Sequence, residues 1–366
     1  MFATNRPTFT SPRNIRINAN RANAAKNTPN LPRIPPRHAR PIKLNKFLIL
    51  SFIRGIISQM ITNNQIFAAP MAGISDNPFR QIIRKFAPGV PVMTEMISCH
   101  SLVEHHKNCL RNFDNYGAEG NVGTQIFGAA VDLMADAARI LEDSGAAWID
   151  INMGCPVPKV ATRANAGAFL MRNHKLAGRI INAVARAVKI PVSVKTRLGW
   201  DAENMDWTDL VRVAADSGAK MVTLHGRTRA QGYTGIAVHP KIENMPIPII
   251  ANGDIVDSIG VQSAIDNGYS GAMIGRAMMG RPWIFGEILG TGQRPENIGE
   301  LVIRHLELVL EYYGVRAGVP MFRKHLAWYS AGMPNSSDFR VKINQITDAT
   351  EMKQEILQFW GCVAER

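Results

Sequence analysis

Residues 148–156 have the sequence Trp-Ile-Asp-Ile-Asn-Met-Gly-Cys-Pro, a short apolar run that ends in a turn of small and polar residues. A run of this length, bounded by Gly and Pro, is typical of a buried β-strand followed by a loop. The same pattern recurs between residues 66 and 276. It predicts strands at 66–69, 92–95, 122–127, 148–152, 192–195, 222–225, 249–252 and 272–274.

Helical patterns lie between these strands. Leu133, Ala137, Ile140 and Leu141 recur at helical spacing, and the pattern stops at Gly145. Strands that alternate with helices predict βαβ units and a parallel sheet. Eight such units are typical of a (β/α)8 TIM barrel, an α/β fold. No G-x-G-x-x-G sequence opens a helix after the first strand, so a dinucleotide-binding doubly wound sheet is disfavoured.

A second unit follows the barrel. Beyond a break that contains Gly290 and Pro295, apolar residues recur at helical spacing in 298–315, 320–331 and 339–361. We therefore expect a small all-helical C-terminal domain. The predicted organisation is a disordered basic extension over residues 1–60, a catalytic barrel over 61–292 and a helical domain over 293–366.

The first sixty residues differ from the rest in charge. They contain eleven Lys or Arg and no Asp or Glu, whereas residues 61–366 have 31 bases and 29 acids, so most of the net charge of +13 belongs to the extension. A polar segment without apolar periodicity is typical of disorder. Three interpretations stay open: translation from Met60 instead of Met1, an organelle transit peptide, or a basic arm that contacts RNA.

The composition of the chain excludes several classes of protein. Hydrophobic residues make up 46% of the chain, which indicates a globular protein with an ample core. The four cysteines are too few for a disulfide framework and favour a reducing compartment. The apolar run at 47–57 is shorter than the roughly 20 residues that a membrane span needs.

Polar residues follow every predicted strand, and in a barrel of this kind the active site lies at those strand ends. Gly253, Gly275 and Arg276 follow strands seven and eight, where such barrels usually bind phosphate, so we expect a phosphorylated cofactor. The thiol of Cys155 lies on a loop after strand four, where it is available for chemistry. Lys195 ends strand five and could neutralise a negative charge. Each residue also has a plain interpretation: glycine in a turn needs no ligand, and a free cysteine is often only packed.

A further cluster of cysteines and histidines is a candidate metal site. It contains Cys99, His100, His105, His106 and Cys109, of which His105 and Cys109 would share one face of a helix. The cluster has neither a C-x-x-C pair nor an H-E-x-x-H motif. We therefore expect a solvated helix here and no metal.

Several long motifs in this order resemble the tRNA-dihydrouridine synthases, most closely the bacterial B-type branch. The likeness runs from about residue 62 to the C-terminus. Its motifs are Ala69-Pro70-Met71-Ala72-Gly73 with Asp76, Pro78, Phe79 and Arg80; Asp150-Ile151-Asn152-Met153-Gly154-Cys155-Pro156 with Lys159; His225-Gly226-Arg227-Thr228-Arg229; Asn252-Gly253-Asp254-Ile255; Gly275-Arg276; Gly280-Arg281-Pro282-Trp283; and Arg323-Lys324-His325.

The resemblance implies an FMN-dependent oxidoreductase that uses NADPH to reduce particular uridines in the D-loop of tRNA to 5,6-dihydrouridine. Hydride would pass from flavin N5 to uracil C6, and Cys155 would give a proton to C5. The nicotinamide nucleotide would dock over the flavin and leave before tRNA enters. Together with the sequence patterns above, we expect a cytoplasmic monomer that binds tRNA but neither membrane nor metal, with organellar import if residues 1–60 are a transit peptide.

The resemblance also assigns roles to individual residues. FMN would be bound by Pro70, Met71, Ala72, Gln125, Lys195, His225, Asn252, Gly253, Asp254, Gly275 and Arg276. The tRNA would be held by Asn152, which orients the uracil, and by Lys159, Arg227, Arg229, Arg323 and Lys324.

The chain departs from the family pattern at two places. Gly167-Ala168-Phe169 stands where the family usually has Gly-Ser-Ala, and Val238-His239 stands where an Asp is frequent. Both departures put the choice of D-loop position in doubt. Two other functions also stay open: an FMN-dependent barrel oxidoreductase that acts on a free pyrimidine, and a tRNA-binding protein without catalysis.

Overall fold

A computed structural model describes residues 66–110, 119 and 121–364 of the chain; the side chains of 105–110 and 362–364 lie outside this description. The basic extension predicted for residues 1–60 also lies outside it, as do the side chains of His105, His106 and Cys109.

Eight parallel strands form the sheet, which confirms the predicted barrel. In chain order they are β1 (Ile66–Ala68), β2 (Val92–Ser98), β3 (Val122–Phe127), β4 (Trp148–Asn152), β5 (Val192–Arg197), β6 (Met221–His225), β7 (Ile249–Asn252) and β8 (Gly271–Ile274). Each strand pairs with the next along the chain from β2 to β8, and β8 pairs with β1. Between β1 and β2 the Ala68 N–H donates to the Pro91 carbonyl at 3.0 Å, which spans the remaining gap.

Helices surround the sheet. They are α1 (Asn77–Phe86), α2 (Cys99–Leu110), α3 (Val131–Asp143), α4 (His174–Ala187), α5 (Trp207–Asp216), α6 (Ser258–Asp266) and α7 (Ile284–Leu289). Helix α1 begins at the cap residue Asp76, whose carboxylate accepts the Phe79 N–H at 3.0 Å. The hydrophobic faces of the helices and the outer faces of the strands share one large core.

The connection from β6 to β7 departs from the expected alternation. Residues 226–248 are described throughout and contain no helix. Three prolines and three glycines in this segment disfavour one. The segment is held instead by long-range backbone bonds: the Val238 N–H donates to the Gly226 carbonyl at 2.7 Å, and the Ile242 N–H donates to the Asn267 carbonyl at 2.8 Å.

A separate set of buried side chains fills the inside of the barrel. It contains Phe67, Met93, Met221, Ile250 and Met273, together with the indole of Trp148. The indole lies against Gly123 so closely that a Cβ there would be 2.0 Å from the ring. The barrel interior is thus a packed core below the strand ends, and only its mouth is open to a ligand.

Four helices follow the barrel: α8 (Ile298–Tyr313), α9 (Val315–Tyr329), α10 (Ser336–Ile343) and α11 (Ala349–Ala364). Their own hydrophobic core also takes in Ile82 of α1 and Trp283, so the helical unit packs on the barrel. In addition, the ring of Phe79 in α1 lies 5.6 Å from that of His305. The exact domain boundary at 292/293 stays a prediction.

Two of the predicted C-terminal helices have different bounds. The segment 339–361 is not one helix, because α10 ends at Ile343 and the Asp348 carboxylate caps α11 by accepting the Thr350 and Glu351 N–H groups. Helix α9 starts at Val315, so Pro320 lies inside it and Arg323-Lys324-His325 lie in its middle. Within the part of the chain described, no helix is long and apolar enough to cross a membrane.

Candidate active site

A cavity of about 800 Å³ opens at the carboxyl ends of the strands. Its wall contains all the residues predicted to hold the cofactor: Pro70, Met71, Ala72, Gln125, Lys195, His225, Asn252, Gly253, Asp254, Gly275 and Arg276. Cys155 and Asn152 line the same cavity. The structure therefore brings together side chains that are up to two hundred residues apart in the sequence.

Glycine opens one end of the cavity at strands β7 and β8. A Cβ on Gly275 would point among three cavity-lining residues, with Ala69, Asn252 and Met71 atoms at 3.9–4.0 Å, so any side chain there would occupy ligand space. Gly253 has φ +113°, and a Cβ there would lie 2.8 Å from that of Ala237. Both positions thus need glycine if a ligand is to approach the backbone.

Asp254 organises two arginines beside these glycines. Its carboxylate pairs with Arg227 at 2.5 Å and with Arg276 at 2.7 Å. Although partial burial acts to raise the pKa of Asp254, the Ala237 N–H and the Arg227 guanidinium hold that pKa below its usual range. The carboxylate would repel a phosphate, so it fits the site as the anchor of Arg276 and not as a direct phosphate ligand.

Lys195 and His225 form the polar floor of the cavity. The Lys195 ammonium donates to Asn252 Oδ1 at 2.7 Å, and burial, with Arg197 nearby, lowers its pKa to about 7. Burial and the neighbouring cations Lys195 and Arg197 hold the pKa of His225 far below its usual range, so the imidazole is neutral. Its Nδ1 is buried without a hydrogen-bond partner among the described residues. A ligand with polar atoms would satisfy this nitrogen.

The Cys155 loop is fixed on both sides. Asn152 Oδ1 accepts the N–H groups of Cys155 at 2.9 Å and of Gly154 at 3.2 Å. On the other side the Arg197 Nε donates to the Gly154 carbonyl at 2.6 Å. Burial raises the pKa of the Cys155 thiol above its usual value, although Arg197 and Lys195 act to lower it. The thiol is therefore protonated at neutral pH and can donate a proton.

A short 3-10 helix, Gly167–Arg172, supports this loop from behind. The Ala168 N–H donates to the Cys155 carbonyl at 3.1 Å, and Gly167 has φ +57° with no room for a Cβ beside Cys155. Ala168 is fully buried. A serine at this position, as the family usually has, would place its hydroxyl among buried apolar residues. This departure from the family pattern thus lies next to the thiol.

The residues predicted to hold tRNA are spread over several environments. Lys159 is exposed just after the Cys155 loop, and Arg229 is half-buried with its guanidinium 4.5 Å above the ring of Trp200. Arg227 is 2% exposed and also donates to the Thr234 and Gly235 carbonyls, which places it behind the cavity wall. Arg323 donates to the Ile346 carbonyl at 2.7 Å, and Lys324 donates to the Gly73 carbonyl in the β1–α1 loop.

Sequence reasoning did not single out two other residues of the site. Arg197 lies two residues after Lys195, so strand alternation puts both on one face, and that spacing could have identified it. Tyr233 lies between two arginines, 5.5 Å from the Arg197 guanidinium and 5.7 Å from that of Arg276. No sequence signal marks Tyr233, because it follows Gly232 in an irregular segment. Across the described residues, no group of three or more metal-binding side chains occurs.

The fold and the cavity define a (β/α)8-barrel enzyme whose reactive groups, a protonated thiol and a half-buried lysine among them, lie at the carboxyl ends of the strands. The family model described as dihydrouridine synthase matches residues 67–361. The chain therefore belongs to the dihydrouridine synthase family, in its bacterial B-type branch, and is an oxidoreductase.

Three relatives illustrate the likeness. A probable tRNA-dihydrouridine synthase of Rickettsia bellii is 37% identical and covers 85% of this chain and 99% of its own length. The tRNA-dihydrouridine synthase B of Xanthomonas campestris is 41% identical over 77% of this chain and 88% of its own length. That of Pseudomonas putida is 36% identical over 83% of this chain and 94% of its own length.

Proposed function

We propose that this enzyme reduces specific D-loop uridines of tRNA to 5,6-dihydrouridine, with FMN as its bound cofactor and NADPH as the electron donor. The observation that carries this proposal is the position of the Cys155 thiol. It lines the same cavity as Lys195, His225 and the glycines of β7 and β8, so a proton donor and an anion-binding pocket face one space. The cytoplasmic location and monomeric state stay predictions.

The residues present fit FMN. Gly253, Gly275 and Arg276 would hold the phosphate, because a close backbone approach and a cation favour an anion there. Lys195 and Gln125 would contact the ring system. His225, which lies beside Gly253, would face the ribityl phosphate, and its unpartnered Nδ1 would gain a hydrogen bond there. When bound, FMN supplies the hydride that reduces C6 of the uracil, and NADPH restores the reduced cofactor.

Cys155 is suited to protonate C5 of the same uracil. A general acid must carry its proton at the working pH, and burial keeps the thiol protonated. Once the proton has moved to C5, the thiolate lies near Arg197 and Lys195, whose charges act to stabilise it. Solvent can then reprotonate the sulfur, which closes the proton balance of the step.

The uridine must leave the stack of the tRNA to reach this cavity. Unstacking costs on the order of a few kcal/mol, which contacts to the RNA backbone offset. Among the predicted tRNA-binding residues, exposed Lys159 beside the Cys155 loop is the best placed for a phosphate contact. The side chains of Arg229, Arg323 and Lys324 already contact the Trp200 ring, the Ile346 carbonyl and the Gly73 carbonyl, and they would have to share these partners with the RNA.

A substrate comparison with the purified enzyme tests the proposal. FMN-loaded enzyme and NADPH are incubated with an unmodified tRNA transcript, with the isolated D-loop oligonucleotide, and with free uridine. We expect dihydrouridine in the tRNA only, and none with Cys155→Ala. Reduction of free uridine at the rate of tRNA would favour a free-pyrimidine reductase. Binding of tRNA without FMN uptake or NADPH oxidation would favour a non-catalytic tRNA-binding protein.

A further inference from the structure

A chain of buried polar side chains runs from the barrel interior to the Cys155 loop. Ser193 Oγ donates to Asp150 Oδ1 at 2.5 Å, and Gln125 Nε2 donates to Asp150 Oδ2 at 2.7 Å. Asn152 Nδ2 then donates to Gln125 Oε1 at 2.8 Å. This series of hydrogen bonds ends at the Cys155 loop, where Asn152 Oδ1 accepts the backbone N–H groups of Gly154 and Cys155.

The strand register builds this chain. Asp150 and Asn152 are two residues apart on β4, so both point to the inside of the barrel. Gln125 on β3 and Ser193 on β5 are the register partners of Asp150 on either side. All four residues are at most 7% exposed, and Asp150 is fully buried. Water therefore cannot replace the partners of the Asp150 carboxylate.

The chemistry of the two ends fixes the direction of every bond between them. A carboxylate can only accept hydrogen bonds, and a backbone N–H can only donate. Gln125 must therefore turn its NH2 group to Asp150 and its oxygen to Asn152. Asn152 in turn must present its oxygen to the loop. Reversal of either amide would leave buried donors facing donors and acceptors facing acceptors.

One charged group faces the carboxylate. Burial raises the pKa of Asp150 to about 6, and Lys195, two residues after Ser193 on β5, is the cation whose field acts against burial and favours the ionised form. The other groups in contact with the carboxylate, Gln125 and Ser193, are neutral donors. Both kinds of neighbour favour an acceptor-only carboxylate at this place.

We propose that Asp150 is a positioning residue for the thiol: its ionised carboxylate sets the direction of the Gln125 and Asn152 amides and thereby holds the backbone of Gly154 and Cys155. It follows that Asn152 Oδ1 is already hydrogen-bonded to the N–H groups of the loop before a substrate binds. It also follows that Gln125 offers its remaining N–H to a bound ligand. The role of the thiol as an acid rests on the proposed function, but the position of the loop does not.

Alkylation of Cys155 by iodoacetamide in the cofactor-free protein tests this proposal without any catalysis. The rate is followed over pH on the Cys155 peptide by mass spectrometry, so the other three cysteines do not interfere. In Asp150→Asn the side chain keeps its shape but can donate as well as accept, so the carboxylate no longer imposes the direction and only the loop N–H groups still favour it. We expect the rate to change by at least about fivefold, as for one lost buried hydrogen bond.

Two further variants separate positioning from mere structural support. Ser193→Ala removes a bond to the same carboxylate but leaves the acceptor-only group, so we expect the rate of the native protein. The double variant D150N/Q125E moves the acceptor-only group one residue along the chain of hydrogen bonds. The new amide at position 150 can then donate to the new carboxylate at position 125, which must accept from Asn152. The native direction returns for the Asn152 amide, although the bond between positions 150 and 125 is reversed. We therefore expect the double variant to recover the native alkylation rate.

Native alkylation in Asp150→Asn would overturn the proposal, as would a double variant no better than the single one. If Asp150→Asn does not fold, the native protein still decides. With ¹⁵N-labelled cysteine and ¹³C-labelled asparagine, a through-hydrogen-bond coupling is expected between the Cys155 amide nitrogen and Asn152 Cγ, and its absence would contradict the proposal. Failure of tRNA reduction, by contrast, would leave these results unchanged.

Discussion

The Lys195 ammonium lies 2.7 Å from Asn252 Oδ1, across the mouth of the barrel from β5 to β7. Asn252 Nδ2 donates to the Met273 carbonyl at 2.8 Å, so the amide is fixed with its oxygen toward the lysine. The lysine is thus held in place by a neutral partner instead of a carboxylate. Its charge stays available to a ligand, and its pKa of about 7 makes that charge dependent on the ligand.

FMN binding should therefore be coupled to proton uptake. At pH 8 the free protein holds Lys195 mostly as the neutral amine, because burial lowers its pKa to about 7. Oxygen atoms of the flavin ring would accept a hydrogen bond from the ammonium and so raise that pKa, while the FMN phosphate, with a second pKa near 6, is already ionised and releases no proton. We expect uptake of most of one proton at pH 8, measured by calorimetry in two buffers of different ionisation enthalpy. Lys195→Met should show no uptake; an equal uptake in that variant would contradict this role.

Cys155→Ala should lose dihydrouridine formation by about 10²- to 10⁴-fold, the usual contribution of a general acid. FMN content and the rate at which NADPH reduces the bound flavin without tRNA should be unchanged, because the thiol is not needed for either. Since the acid must be protonated and burial raises its pKa, the native rate should stay level through pH 8 and fall only at higher pH. A rate that rises with pH across that range would indicate a thiolate nucleophile instead.

Ionisation of Asp150 should lower the free energy of unfolding of the native protein as the pH rises. Burial raises its pKa in the folded protein to about 6 from 3.8, so the folded state prefers the protonated acid. The penalty is absent below pH 3.8, develops between pH 3.8 and 6, and is complete above pH 6. The difference in free energy of unfolding between Asp150→Asn and the native protein should therefore change by up to about 3 kcal/mol from pH 4 to pH 7, in favour of the variant. Denaturant unfolding at both pH values measures this, and a constant difference would contradict it.

Gly123→Ala should destabilise the barrel. The added Cβ would lie 2.0 Å from the buried indole of Trp148, and overpacking of this kind costs about 1–3 kcal/mol. Gly361→Ala is the matched control, because Gly361 lies in α11 with no atom near its Cβ position. There alanine should stabilise the protein by up to about 1 kcal/mol. Thermal unfolding compares the two, and equal effects would argue against the packing of Trp148.

Lys159→Ala should affect tRNA binding, whereas Arg227→Ala should affect stability and FMN binding. Lys159 is exposed, so its loss should weaken tRNA binding and reduce the salt dependence of the affinity, with the melting temperature unchanged. Arg227 is buried, and its loss leaves Asp254 with one partner fewer, so that variant should melt earlier and bind less FMN. Binding titrations at two salt concentrations and thermal melts separate the two. An unaltered melt for Arg227→Ala would show that its buried bonds contribute little.

The strands were predictable because each is a short apolar run closed by glycine or a polar turn. The bounds of β3, β4 and β7 match the prediction, whereas β2 extends to Ser98. The predicted β2 ends too early because Thr94 and Glu95 interrupt the apolar pattern, and the pairing register shifts between Met93 and Met96. The general alternation of strands and helices predicts a helix after β6, whereas the prolines of that segment disfavour one and the structure has none there.

The cavity wall was predictable from strand ends, because parallel strands in a barrel present their carboxyl ends at one mouth. The partners of long charged side chains were not. Arg227 follows β6 like a ligand-binding residue, yet its partner Asp254 stands 27 residues later, and only the fold shows that they meet. The link from Asp150 to Asn152 through Gln125 likewise depends on the register of neighbouring strands.

The most direct test of the central claim is a map of dihydrouridine in tRNA from cells that lack this gene. Mass spectrometry detects the gain of two mass units at each D-loop position, and the cells are complemented with the native protein or with Cys155→Ala. We expect one or more positions to lose dihydrouridine, and only the native protein to restore it. Unchanged dihydrouridine in the deletion strain, without a second enzyme that acts at the same position, would contradict the account.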